Sequence, residues 1–295
     1  EFRQVDALLT KQNAECLNDI KLLIHLGEIS GDHFNMGDKA AEVWRVNRDG
    51  QMRDRYGKLT HLFTMSEKHF FERYKDKDIQ PGTSFLNQCR TEYTRCYTAI
   101  PELPLSNIWM AKELAPSLPE NSVFHLGILT SLRSWDFFEV SKSIHSACNV
   151  GGFGTDGMLS SLLGASIIHP QKLYFGIVGD LAFFYDMNAL WNINVRPNLR
   201  ILLLNNGGGE IFHTLPGLDM SGTSHKYITA VHKTSAKGWA EERGFLYQRV
   251  ENEEQLAEAM KTFTQPEQPV LMEVFSNKNK DARILKDYYH QLKQK

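Results

Sequence analysis

The sequence predicts an α/β fold with a doubly wound and mostly parallel sheet. Three observations carry that expectation. From residue 119 onward, strand-length apolar runs alternate with segments of helical length, the pattern of successive βαβ units. Two of these runs, 173–178 and 199–204, are joined by a crossover of helical length, which makes them parallel neighbours. Each also delivers a distinctive turn to its carboxyl end, Gly179-Asp180-Leu181 and Asn205-Asn206-Gly207-Gly208-Gly209, where sheets of this kind bind ligands.

Residues 5–18 carry apolar positions near helical spacing (Val5, Leu8, Leu9, Cys16, Leu17). A buried-strand run covers 21–26, and weaker strands fall at 42–46 and 62–65, separated by the turn Asn47-Arg48-Asp49-Gly50. Ser66 caps a helix through Phe70, Phe71 and Tyr74, and Pro81-Gly82 marks a boundary near 76–83. Helices follow at 83–100, stopped by Pro101 and Pro104, and from Ser106 through Leu114, closed by Pro116 and Pro119. Strands at 123–129, 173–178, 199–204, 245–250 and 269–275, with a short run at 145–150, then alternate with helices. Those helices fall at 132–140, 156–168, 183–194, 235–243 and 252–263, with a last one from about 280.

At 295 residues the chain makes one large or two ordinary domains. It is 42% apolar and 23% charged, with a formal net charge of -2, a soluble globular composition. That near balance gives no electrostatic case for nucleic acid or an anionic membrane surface. Cys16, Cys89, Cys96 and Cys148 form no CxxC and no zinc spacing, so reduced thiols and a cytoplasmic location are expected. No run approaches 18 apolar residues, so no membrane span is expected. The chain begins at Glu1 inside a helix-like pattern, as an excised piece of a longer protein would.

Taken singly, Asp180 reads as a helix cap and 205–209 as a turn. Together, at the ends of adjacent parallel strands, they read as a site. The Asp180 carboxylate, the Asn206 side-chain oxygen and a loop carbonyl supply half of an octahedral Mg²⁺ shell, which phosphate oxygens and water complete, with free glycine amides alongside. A competing signal is Gly152-Phe153-Gly154-Thr155-Asp156-Gly157, which matches GxGxxG before a helix and offers an NAD-dependent dehydrogenase as the alternative. The run before it, 145–150, makes a poor strand, and Asp180, near the spacing of a ribose ligand, opens a helix instead. His213 is either a group titrating beside the site or a packed histidine. Phe183, Phe184, Tyr185 and Met187 are expected to pack the crossover on the sheet, and 278–280 to be solvated surface. Ile211, Phe212 and Leu215 read as core, or as an apolar wall over a cofactor.

Gly179-Asp180-Leu181, followed after a helix by Asn205-Asn206, resembles the GDG…NN cofactor signature of thiamine diphosphate enzymes, with Leu181 in place of the second glycine. Within that superfamily, 149–157, 179–181 with 185–190, and 205–212 are similar to the 2-succinyl-5-enolpyruvyl-6-hydroxy-3-cyclohexene-1-carboxylate synthases of menaquinone biosynthesis, the MenD family. The resemblance is specific over about 120–295 and looser over 1–75. It implies three parts: 1–78 as the incomplete end of a central α/β domain, 79–118 as a helical connector, and 119–295 as a diphosphate- and Mg²⁺-binding domain of the thiamine diphosphate-binding fold. The family's N-terminal pyrimidine-binding domain has no counterpart in the chain.

The resemblance also implies a site. Asp180, Asn206 and the Gly208 carbonyl become the Mg²⁺ ligands. Thiamine diphosphate contacts fall to Ser131, Gly154, Thr155, Gly179, Asp180, Leu181, Ala182, Asn206, Gly208, Glu210 and Ile211, and substrate contacts to Ser131, Arg133, Ile211, Phe212 and Leu215. The implied activity is that of a transferase or lyase: decarboxylation of a 2-oxo acid, with a 2-oxoglutarate-type donor, and carboligation to a second small-molecule acceptor, in a homodimer or tetramer. The glutamate that protonates the cofactor's aminopyrimidine ring lies in the family's N-terminal domain, so no catalytic residue is assigned here and the isolated chain is expected to be inactive. A non-catalytic oligomerising homologue is a further alternative. Two arginines that hold substrate carboxylates in the family correspond to Trp135 and Val150, and neither an indole nor an isopropyl group can form a bidentate clamp; Arg133 lies two positions from the first.

Overall fold

The computed structural model describes residues 14–26, 38–75, 82–149, 154–215, 217–218, 222–265 and 267–294. Most of the helix expected at 5–18 lies outside these residues, as do Val150 and the Gly152-Phe153 half of the glycine-rich turn. The chain divides into two compact units, Glu1–Pro101 with Tyr289–Lys295, and Glu102–Tyr288.

In the first unit, β1 (Leu22–Leu26), β2 (Glu42–Val46) and β3 (Leu59–Phe63) form a parallel sheet in that order. The third strand begins three residues before its expected start. There Trp44 of β2 meets two rings of β3, with centroids 5.1 Å from His61 and 5.5 Å from Phe63, an aromatic cross-strand pairing that sets the register. Ser66 caps the helix Glu67–Tyr74 by accepting from the His69 amide at 3.2 Å, as expected.

The second unit carries β4 (Val123–Leu126), β5 (His145–Cys148), β6 (Tyr174–Gly179), β7 (Leu199–Asn205), β8 (Leu246–Val250) and β9 (Val270–Phe275). They form a six-stranded sheet in the order β5-β4-β6-β7-β9-β8, parallel throughout. The α/β, mostly parallel architecture read from the alternation is thus the observed one. β7 is buried at every position and β6 at all but its last, because helices cover both faces. Leu162 and Leu163 of the helix Met158–Ile168 and Phe183 of the crossover share one core with Val178, Leu203 and Leu271 of the strands.

Three local expectations need correction. Residues 145–148 do form a strand; β5 is the sheet edge, largely exposed, so it lacks the apolar pattern of a central strand. The crossover is not one helix over 183–194 but Asp180–Asp186 followed by a 3-10 turn, Met187–Leu190. Its end is set by Asn192, whose Nδ2 donates to the Ala189 carbonyl at 2.8 Å and closes the turn. Within it Phe183 is buried but Tyr185 is 66% exposed, so only part of that aromatic run packs on the sheet. Short helices at Ile211–Thr214 and Gly222–Ile228 were not foreseen.

Candidate functional site

From β4 the chain moves outward to β5, then crosses back to β6 on the other side of β4. A crevice forms where strand order reverses in this way, at the carboxyl ends of the strands. A cavity of about 330 Å³ lies there. Its walls are Gly127 to Ser131 after β4, Gly179 to Ala182 after β6, and Asn206 with Gly208 to Phe212 after β7. Gly154, Thr155, Leu204 and Asn107 complete it. Of the residues read from the sequence, Ser131, Gly154, Thr155, Gly179, Asp180, Leu181, Ala182, Asn206, Gly208, Glu210, Ile211 and Phe212 share this one cavity. Arg133 and Leu215 do not line it.

Asp180 is buried, yet it does not cap its helix in the expected way. Its Oδ1 accepts from the Leu181 amide at 2.7 Å, and Oδ2 reaches across to β7, accepting from the amides of Asn206, Gly207 and Gly208 at 3.1, 2.8 and 3.0 Å. The sequence suggested free glycine amides beside the site; the Gly207 and Gly208 amides are instead taken by Asp180. Positive φ at Gly207 (+80°) and Gly208 (+140°) turns successive N–H groups inward to form an anion-binding nest, and the nearest anion is the chain's own carboxylate. A Cβ on Gly208 would lie 2.5 Å from the Thr229 carbonyl, so that position tolerates glycine alone. Burial pushes the Asp180 carboxyl above its ordinary value, against the pull of the Gly208 amide and His232. His232 Nε2 stands 3.2 Å from Oδ2, and its Nδ1 accepts from the Thr234 amide.

Asn206 donates from Nδ2 to Glu210 Oε2 at 2.8 Å, while its Oδ1 is buried with no hydrogen-bond partner among the described residues. The same Glu210 oxygen accepts from Asn107 Nδ2. Burial, reinforced by Asp281, holds the Glu210 carboxyl well above the usual range. Lys278, expected on the surface, is buried; its Nζ donates to the Gly207 carbonyl at 2.9 Å and ties the glycine turn to the last helix. On the far wall, Asn149 Oδ1 accepts from His125 Nε2 at 2.7 Å, and its Nδ2 donates to the Gly157 carbonyl at 2.8 Å, anchoring the turn that carries Gly154 and Thr155. Leu129, also in the wall, holds φ +68°, a strained value for a branched residue and one that clusters at functional sites.

The side chains that could meet a cation here offer oxygen alone, the Asp180 carboxylate and the Asn206 amide oxygen that lacks a partner among the described residues. That is hard-cation chemistry, and it fits Mg²⁺ better than a soft metal. Among the described residues no group of three or more His, Cys, Asp or Glu side chains could hold a metal, so such a site depends on the amide oxygen as well. Trp135 is 2% exposed and packs on Phe124 with centroids 4.8 Å apart, away from the cavity lining. His213 does not line the cavity either; burial lowers its pKa, as do His225, Lys278 and Lys286. Asn107, His232 and Lys278 are the residues the sequence reading missed. Each stands far along the chain from the Asp180 and Asn206 turns, and short motifs carry no signal of such distant partners.

Residues 131–274 match the family described as thiamine pyrophosphate enzyme, C-terminal TPP binding domain. The chain is 61% identical over 263 residues to the 2-succinyl-5-enolpyruvyl-6-hydroxy-3-cyclohexene-1-carboxylate synthase of Bacteroides thetaiotaomicron, covering 86% of this chain and 46% of that protein. It is 53% identical over 263 residues to the synthase of Bacteroides fragilis, with 85% and 46% covered. To that of Phocaeicola vulgatus it is 46% identical over 261 residues, with 86% and 46% covered. The resemblance read from the three motifs is therefore borne out: this chain is similar to the C-terminal part of a MenD-like thiamine diphosphate enzyme. It spans about half the length of the curated relatives it matches. Among the described residues no helix is long and apolar enough to cross a membrane.

Proposed function

We propose that the chain is the diphosphate-binding part of a thiamine diphosphate- and Mg²⁺-dependent 2-oxo acid decarboxylase and carboligase of the MenD type, acting in menaquinone biosynthesis on a 2-oxoglutarate-type donor. The observation that supports this most directly is the orphaned Asn206 Oδ1 beside Asp180, in a cavity at the switch point of a parallel sheet. A buried acceptor without a partner needs one, and a cation supplies it. On this reading Asp180, Asn206 and the Gly208 carbonyl hold Mg²⁺, and Ser131, Gly154, Thr155, Leu181, Ala182 and Ile211 surround the cofactor. When bound, thiamine diphosphate supplies the electron sink for breaking and making carbon–carbon bonds next to a 2-oxo group. The chain's own part is to orient and to exclude water: Leu129, Ile211 and Phe212 give the cavity apolar walls, while the Asp180–amide nest fixes the loop. The proposed substrate contacts are Ser131, Ile211 and Phe212, which line the cavity, with Arg133 and Leu215, which stand off its lining.

The domain limits expected at 78 and 118 belong to the same proposal, as do a cytoplasmic homodimer or tetramer and a pyrimidine-binding domain in the full-length protein. The 295-residue chain alone is then expected to be inactive. Isothermal titration of thiamine diphosphate with Mg²⁺ into the full-length protein tests the reading. Binding should require the metal and should weaken at least ~10-fold in the Asp180→Ala variant. Equal binding by both proteins would overturn the metal assignment.

A further inference from the structure

We propose that Glu210, held by Asn107, is a positioning residue that fixes which end of the Asn206 amide is left without a partner and available to the metal. The inference rests on the metal-site reading above. An asparagine amide has an oxygen end and an NH₂ end of nearly equal shape, and surrounding donors and acceptors decide which points where. Here the decision is made by one atom. Glu210 Oε2 receives two N–H groups, from Asn107 Nδ2 and from Asn206 Nδ2, the latter at 2.8 Å. With both donors in place that oxygen acts as an acceptor, whatever proton its partner oxygen carries. Turning the Asn206 amide over would set oxygen against oxygen and lose the bond.

The consequence falls on Asn206 Oδ1. It is left buried and without a partner among the described residues, aimed away from Glu210. The local chain makes the pairing possible: positive φ at Gly207 and Gly208 folds the backbone so that residue 210 returns beside residue 206. Glu210 also has an oxygen, Oε1, without a partner, so direct ligation of the metal by Glu210 is the rival assignment. The two differ in what a glutamine would do. Its amide oxygen can accept from both asparagines and keep Asn206 oriented, but its NH₂ group would then occupy the Oε1 position and could not bind a cation.

The test uses the full-length protein with thiamine diphosphate, and reads free against bound Mn²⁺ by electron paramagnetic resonance. Glu210→Gln should keep its Mn²⁺ affinity within about threefold, and Glu210→Met should lose ~10–100-fold, the usual cost of removing a partner that orients a ligand. Asn206→Asp presents oxygen at both ends and needs no orienting, so Glu210→Met placed on that background should cost nothing further. Unchanged affinity in Glu210→Met would overturn the proposal. So would a loss in Glu210→Gln as large as in Glu210→Met, which would make Glu210 a ligand. An equal loss from Glu210→Met in the wild type and in the Asn206→Asp variant would overturn it too, leaving Glu210 a merely structural role. Should Glu210→Met fail to fold, Asn107→Ala carries the test: weaker Mn²⁺ binding is expected, and unchanged binding overturns. Asp180→Ala separates the two levels, since wild-type Mn²⁺ affinity there would mean that the metal-site reading itself has failed.

Discussion

Asp281, 1% exposed at the start of the last helix, has burial as the chief influence on its carboxyl, which is pushed up to about 7 from an ordinary 3.8. Between those values the native state holds a proton that the unfolded chain has lost. Stability therefore falls as pH rises through that window and stays low above it. Asp281→Asn is expected to change little at pH 4 and to stabilise clearly at pH 8, measured by chemical denaturation at both values. A gain of equal size at both would sink the assignment. Backbone strain gives a second contrast. Gly208→Ala meets both a φ of +140° and a carbonyl 2.5 Å from the new Cβ, whereas Gly244→Ala at φ +78° meets nothing within 4 Å. The first should cost clearly more, ~2 kcal/mol or above against about 1 for the second, in thermal melts of the two variants. At this scale the sequence was informative about which residues gather and poor about what they bond. Asp180 and Asn206 were legible because each sits at the end of an apolar strand, but nothing local said that the Asp180 carboxylate would take up the glycine amides.

The last helix, Lys278–Gln294, bears on the site through Asp281, which acts on Glu210, and through Lys278. Lys278 crosses to the Gly207 carbonyl, so Lys278→Met, which keeps the stem and removes the charge, is expected to destabilise by ~1.5–3 kcal/mol. Faster amide exchange confined to the 206–209 turn would be the accompanying sign, and unaltered exchange there would argue against the tie. Elements with a strong period or a cap were readable: Ser66, Ser106 and Asn252 each accept from the amide three residues on, as capping residues do. What escaped were elements whose ends depend on tertiary bonds. The crossover stops early because of Asn192, and Ile211–Thr214 is a single turn too short to leave a periodic trace.

Over the whole molecule, parallel topology followed from alternation, but strand order did not. Nothing in the runs says that β9 inserts between β7 and β8, or that β5 lies outside β4. Yet that order makes the crevice, because the chain reverses direction beside β4. The six-stranded sheet and its core fall within Glu102–Tyr288, so a fragment beginning at residue 102 and keeping the last helix should fold on its own. A single cooperative melting transition by circular dichroism is expected of it. A broad, non-cooperative melt would show that the sheet needs the preceding residues.

The carboxylate that fills its own amide nest has a consequence for chemical complementation. Asp180→Gly would leave three backbone N–H groups converging on a small, electropositive hollow shaped for one carboxylate oxygen. Formate or acetate is then expected to enter the mutant and restore part of its lost thermal stability in a saturable way, while leaving the wild-type melting temperature unmoved.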